Sequence, residues 1–114
     1  MPVTVSETFF SVGIRDMARA TAFYCDTFGA TVAFATPAWT SLRIAGVRLG
    51  LAFDAKHAGG ATGLHFAVAD LAEACAQVER AGGRVEQARV EAAPGVVLGL
   101  VVDTEGNGLT LAQR

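Results

Sequence analysis

Phe10-Ser11-Val12-Gly13-Ile14-Arg15-Asp16-Met17-Ala18-Arg19-Ala20 is answered 54 residues later by Leu64-His65-Phe66-Ala67-Val68-Ala69-Asp70-Leu71-Ala72-Glu73-Ala74. Asp16 aligns with Asp70, Ala18 with Ala72, Ala20 with Ala74 and, further on, Gly29 with Gly83. In each copy an alternating apolar run (Phe10, Val12, Ile14; Leu64, Phe66, Val68) leads into an aspartate at a helix N-cap position. Apolar residues then recur at helical spacing (Met17, Thr21, Tyr24, Phe28; Leu71, Cys75, Val78, Gly82) until Gly29 or Gly83 ends the helix. The unit is a strand, a capped helix and a glycine stop, present twice. A doubled half-domain with one site built between its halves is the economical explanation.

Working outward, residues 7–13 read as the first strand and residues 17–28 as the first helix, followed by strands over 30–36, 39–45 and 47–53. Residues 54–62 are small, polar and glycine-bearing and form the linker. The second half repeats the pattern, with a strand over 63–69, a helix over 70–81, and strands over 84–90, 96–103 and 109–112. The expected fold is therefore α+β: a single domain over 1–114 made of tandem βαβββ modules (about 7–53 and 63–114). Curved mixed sheets would surround a cup, with the helices on the convex side.

Bulk composition supports a folded chain. Of 114 residues, 52% are apolar, enough for a core without disulfides, and no apolar run is long enough to span a bilayer. The N-terminus carries no basic segment leading into an apolar core, so a cytoplasmic protein is expected. Cys25 and Cys75 each fall inside a helix, away from any CxxC pattern, and read as packed thiols. Net charge is −2 and eight of the nine basic residues are arginines scattered along the chain, which argues against a nucleic-acid partner.

Alternation places Phe9, Ser11, Gly13, Arg48, Gly50, Ala52, Gly63, His65, Ala67, Gly108, Thr110 and Ala112 on the side of the sheets away from the helices. A concave face of such small residues leaves volume for a small molecule, unless another subunit fills it or the glycines serve only curvature. Trp39, Ser41 and Arg43 should share that face. Arg19, Glu73, Glu79 and Arg80 read as solvated helix positions, and Tyr24 as core.

The run Phe10–Met17, then Ala22-Phe23-Tyr24 and Phe28-Gly29, resembles the glyoxalase, bleomycin-resistance and extradiol-dioxygenase (vicinal oxygen chelate) superfamily. Asp103-Thr104-Glu105-Gly106-Asn107-Gly108 is similar to its terminal Asp-Pro-x-Gly-Asn turn, with Thr104 in place of proline. The resemblance implies a divalent metal held by four His or Glu side chains in the cup. In this sequence those positions fall on Phe9, Gly50, Gly63 and Thr110, none of which can bind a divalent cation.

The expectation is accordingly a metal-independent small-molecule-binding protein without a cofactor, similar to the bleomycin-resistance branch. Ligand contacts are expected from Phe9, Trp39, Arg43, Arg48 and His65, in a homodimer whose halves complete each cup. A lyase- or isomerase-like enzyme using His65 as acid or base is the alternative, and an assembly module with a filled cup is a third.

Overall fold

The computed structural model describes all residues, Met1–Arg114. Its elements in chain order are β1 (Phe10–Ile14), α1 (Met17–Phe28), β2 (Thr31–Ala35), β3 (Trp39–Ile44), β4 (Val47–Phe53), β5 (Gly60–Val68), α2 (Leu71–Arg80), β6 (Arg84–Ala93), β7 (Val96–Val102) and β8 (Asn107–Gln113). They form two four-stranded sheets of one topology, sheet A in the order β1-β4-β3-β2 and sheet B in the order β5-β8-β7-β6. In each, the first strand pairs parallel to the last and the other pairings are antiparallel. The α+β fold of two βαβββ modules is as the repeat predicts.

Both helices start as the echo requires. Asp16 Oδ1 accepts from the Arg19 backbone N–H and Asp70 Oδ1 from that of Glu73, each at 3.0 Å. Such a cap satisfies one of the free donors of the first turn, worth about 1 kcal/mol. Gly29 closes α1 in the left-handed region at φ 67°. The second stop differs from the sequence reading, because Ala81 caps α2 and Gly82, at φ 96°, makes the left-handed turn. Gly83 serves packing instead: a Cβ there would lie 2.6 Å from the Val102 carbonyl oxygen and 2.8 Å from the Phe23 ring.

Several strand limits also move: β6 runs on to Ala93 rather than residue 90, and β8 begins at Asn107 rather than residue 109. β1 starts at Phe10 rather than residue 7: its pairing with β4 begins at Phe10 and Leu49, and the residues before it are exposed. β5 starts at Gly60 rather than residue 63, because Gly60 and Ala61 pair with Asn107 and Gly108. A bulge then separates Ala61 from His65, around Gly63 at φ 78°. The bulge absorbs the extra residues, so Leu64 is buried and Phe66 and Val68 pack half-buried against the core, as alternation requires.

The helices bury one face each. Ala20, Phe23 and Tyr24 of α1 and Leu71, Cys75 and Val78 of α2 join Val12, Ile14, Leu42, Leu51, Val101 and Leu111 in one core shared by both modules. Phe28 of α1 meets Phe66 of β5 edge-on, with ring centroids 4.7 Å apart. Each fully buried aromatic or aliphatic side chain contributes about 1.5–3 kcal/mol, so the shared core, to which these two half-buried rings add, is a main source of cohesion between the modules.

A polar latch completes the junction. Glu105, in the β7–β8 turn and 0% exposed, accepts from the backbone N–H groups of Arg15 (2.8 Å) and Asp16 (2.9 Å) and from Arg19 Nε (2.8 Å). Burial alone would raise its carboxyl pKa, but hydrogen bonds from Arg19, Thr104 and the two backbone donors hold it at about 2. Tyr24 Oη donates to Asp103, and burial, followed by the Asp103 charge, pushes the phenol pKa up. Asn107 Nδ2 donates to the Gly13 carbonyl at 2.8 Å. Arg19 is thus an ion-pair partner across the module junction rather than a merely solvated helix residue. Glu73 and Arg80 do pair with each other at the exposed surface of α2.

Candidate functional site

The sequence of β3, Trp-Thr-Ser-Leu-Arg-Ile, turns Thr40 and Leu42 into the core, where they are 1% and 0% exposed. Trp39, Ser41 and Arg43 therefore stand on the opposite, helix-free face. β4 does the same with Leu49 and Leu51 inside and Arg48, Gly50 and Ala52 opposite. Register sets these positions side by side: Ser11 pairs with Gly50, Gly50 with Ser41, and Arg48 with Arg43. In sheet B the corresponding row is His65, Thr110 and Leu100.

Gly50 is the centre of the sheet A row, and the Trp39 indole lies flat against it. A Cβ on Gly50 would fall 2.0 Å from Trp39 Cζ2 and 2.2 Å from Cη2, inside any possible contact. Trp39 Nε1 donates to the buried Ser41 Oγ at 3.0 Å, which orients the ring, and Phe9 stands perpendicular to it with centroids 6.3 Å apart. Arg48 Nη1 is 3.4 Å from Glu7 Oε1, a half-exposed carboxylate of the N-terminal segment. Arg43 is exposed and joins no ion pair.

His65 lies on the other sheet. It is exposed, and its Nδ1 is 3.1 Å from the Gly63 carbonyl oxygen of its own strand. A carbonyl only accepts, so this contact selects the tautomer protonated at Nδ1 and leaves Nε2 as the free acceptor. His65 also borders an apolar groove of about 610 Å³ between β5 and the end of α1 with the β3–β4 hairpin, with Phe10, Phe28, Leu49 and Phe66 among its walls. None of Phe9, Trp39, Arg43 and Arg48 lines this groove. Within one chain, then, Phe9, Trp39, Arg43 and Arg48 gather on sheet A and His65 stands apart on sheet B. Strand alternation puts the sheet A residues on one face but does not reveal the contact of Trp39 with Gly50, whose only signal is a bulky ring two register steps from a glycine on the same face.

A divalent cation finds no fit here. The four positions that the resemblance implies as metal ligands carry Phe9, Gly50, Gly63 and Thr110, and no three His, Cys, Asp or Glu side chains cluster anywhere in the chain. At Gly50 the space a coordinating side chain would need is filled by the Trp39 ring.

Two βαβββ modules with helices behind the sheets and a small-residue face in front define a paired-module cup protein. The chain belongs to the Glyoxalase/Bleomycin resistance protein/Dioxygenase superfamily, which it matches over residues 8–111. Among solved structures it is similar to a glyoxalase-related enzyme from Fulvimarina pelagi, with a TM-score of 0.79 and 20% identity over 96% of this chain and 89% of that one. A bleomycin-binding protein in complex with bleomycin gives a TM-score of 0.67 and 20% identity, covering 96% and 99% of the two chains. The fosfomycin resistance protein FosX from Listeria monocytogenes gives 0.76 and 14%, covering 98% and 93%. At these identities the likeness shows the fold alone, a fold that serves binding in one relative and is found in a resistance protein and a glyoxalase-related enzyme in others. No curated protein matches the chain. No helix is long and apolar enough to cross a membrane.

Proposed function

We propose that this protein binds a small molecule, as the bleomycin-binding relative does, that it does so without a metal, and that it acts as a homodimer. The observation that carries the reading is Trp39 lying on Gly50: an aromatic surface stands where a metal-dependent cup needs a coordinating side chain. The same face offers the Phe9 ring and the Arg43 and Arg48 guanidinium groups, which suit burial and orientation of a ligand rather than bond-breaking. His65, on sheet B, supplies one further hydrogen-bonding group.

What a single chain leaves open supports the homodimer. Edge strands β1 and β5 are unpaired on their outer sides, and Phe9, Phe10, Val32, Phe34, Val47 and Phe53 are each about half exposed. Apolar surface of this extent is a liability for an isolated chain. In the proposed assembly, sheet A of one chain faces sheet B of its partner, and Trp39 and His65 from different chains line one cup. Two unbonded thiols, Cys25 and Cys75, suit a reducing compartment, and we place the protein in the cytosol.

Metal analysis of untagged protein, a melt with and without chelator, and light scattering test these points together. The expected result is a dimer with metal well below one per chain and a melt that chelator leaves unchanged. One tightly held metal per chain, lost with a large drop in melting temperature, would return the protein to the metal-dependent members. A broad compound screen by thermal shift then tests binding itself, since a ligand at 100 times its Kd stabilises by about 2.7 kcal/mol.

A further inference from the structure

We infer that the cup selects a planar aromatic ligand carrying a carboxylate or similar anion, its ring on Trp39 and its charge between Arg43 and Arg48. The inference rests on the binding function proposed above and deepens it by naming the ligand class.

Three observations carry it. The first is that Arg43 and Arg48 are direct register partners on β3 and β4, so two guanidinium groups emerge side by side on one face. Like charges directly opposite across strands are destabilising, and here only Glu7 approaches, at 3.4 Å from Arg48 and from a segment outside any strand. An anion from the ligand would neutralise both. The second is that Arg48 Nε is buried without a hydrogen-bond partner. Of the three buried side-chain polar atoms left without a partner it alone is charged, the others being the hydroxyls of Thr27 and Thr40. A buried N–H without an acceptor is costly, and a rotation of the part-exposed Arg48 guanidinium would bring it to a ligand carboxylate.

The third is spacing. The indole lies over Gly50, and Arg48 is two residues away on the same strand and the same face, a distance of about 7 Å. A carboxylate carried on a ring stacked there, extended by one charge-assisted hydrogen bond of about 2.8 Å, falls within that span. Trp39 cannot tilt away, because Ser41 holds its N–H and the Gly50 backbone supports its far face. A flat ring therefore meets a preformed platform, which keeps the ordering cost of binding small.

The probes are 4-nitrobenzoate, which quenches indole emission, and its uncharged analogue 4-nitrobenzamide. Trp39 is the only tryptophan in the chain, so its fluorescence reports this face directly. The expected result is saturable quenching by 4-nitrobenzoate with an affinity at least tenfold above that of 4-nitrobenzamide. In the Arg43→Gln/Arg48→Gln double variant that difference should vanish, while 4-nitrobenzamide quenches as it does in the wild type. Equal affinity for both probes in the wild type, non-saturable quenching by both, or a preference that survives the double substitution would overturn the inference. If uncharged compounds from the thermal-shift screen nevertheless bind and perturb Trp39, only the anion preference falls. If no compound does either, the binding function falls with it.

Discussion

Glu105, buried in the turn between β7 and β8, holds the Arg19 side chain of α1 at 2.8 Å, joining the two modules across 86 positions of sequence. The same carboxylate accepts from the first backbone donors at the entry to α1, so it acts as a cap supplied by the other module. Glu105→Gln keeps the shape, removes the charge and turns one acceptor into a donor. The expected cost is about 1–3 kcal/mol, as for a buried hydrogen bond to a charged group. Urea titration would read it as a lower midpoint with little change in slope.

Acid should act on the same contact. The Glu105 pKa is about 2 in the fold against 4.5 for the free side chain, so its stabilising contribution is complete above about pH 4.5. That contribution is lost as pH falls from about 4.5 through 2. Melting temperatures measured between pH 6 and pH 2 should therefore drop more steeply for the wild type than for Glu105→Gln. Parallel curves would show that other carboxylates dominate acid unfolding.

The fold was legible in the sequence because its signals are local. The caps Asp16 and Asp70 act within three residues, and the alternation through Leu49, Leu51 and Leu64 depends only on neighbours. Arg19 and Glu105 were not legible as a pair, since a charged residue on a helix and one in a turn look solvated until the topology brings them together. The site divides in the same way. Strand parity puts Trp39, Arg43 and Arg48 on one face, but the contact of the Trp39 ring with Gly50 depends on a side-chain orientation that parity does not specify.

Gly29 and Gly83 align in the repeat yet should respond differently to alanine. Gly29 has φ 67° and open space around it, so Gly29→Ala costs only the left-handed strain of about 1–2 kcal/mol. At Gly83 the new methyl would press on the Val102 carbonyl, Phe23 and Val78, all within 2.8 Å. Overpacking of that kind costs about 1–3 kcal/mol. Phe23→Leu beside Gly83→Ala should recover part of that loss, and should recover nothing beside Gly29→Ala. Chemical denaturation of the four variants measures the coupling.

Gly50→Glu tests whether Trp39 excludes a coordinating side chain from the cup. The substituted Cβ would meet the indole at 2.0–2.2 Å, and the ring must leave its hydrogen bond to Ser41 to admit it. The expected result is a loss of about 1–3 kcal/mol, the usual cost of overpacking, together with a red shift of the single tryptophan's emission. Trp39→Ala in the same chain should restore most of the stability. If Gly50→Glu is neutral with an unchanged spectrum, the ring is not fixed on the glycine.

Arg43→Gln separates stability from binding at the same face. Arg43 and Arg48 are register partners of like charge, and Arg43 joins no ion pair, so removing one charge relieves a repulsion. The free protein should gain about 0.2–1 kcal/mol in dilute buffer, the range for cross-strand pairs. The gain should shrink in 1 M salt, where the screening length falls to about 3 Å. The same substitution should weaken an anionic aromatic ligand. A residue whose removal stabilises the free protein and impairs binding is the pattern expected where a site holds unpaired charge for its ligand. A loss of stability on Arg43→Gln would mean that the guanidinium stem packs usefully on the sheet, and the case for an unpaired cation awaiting an anion would lose its energetic basis.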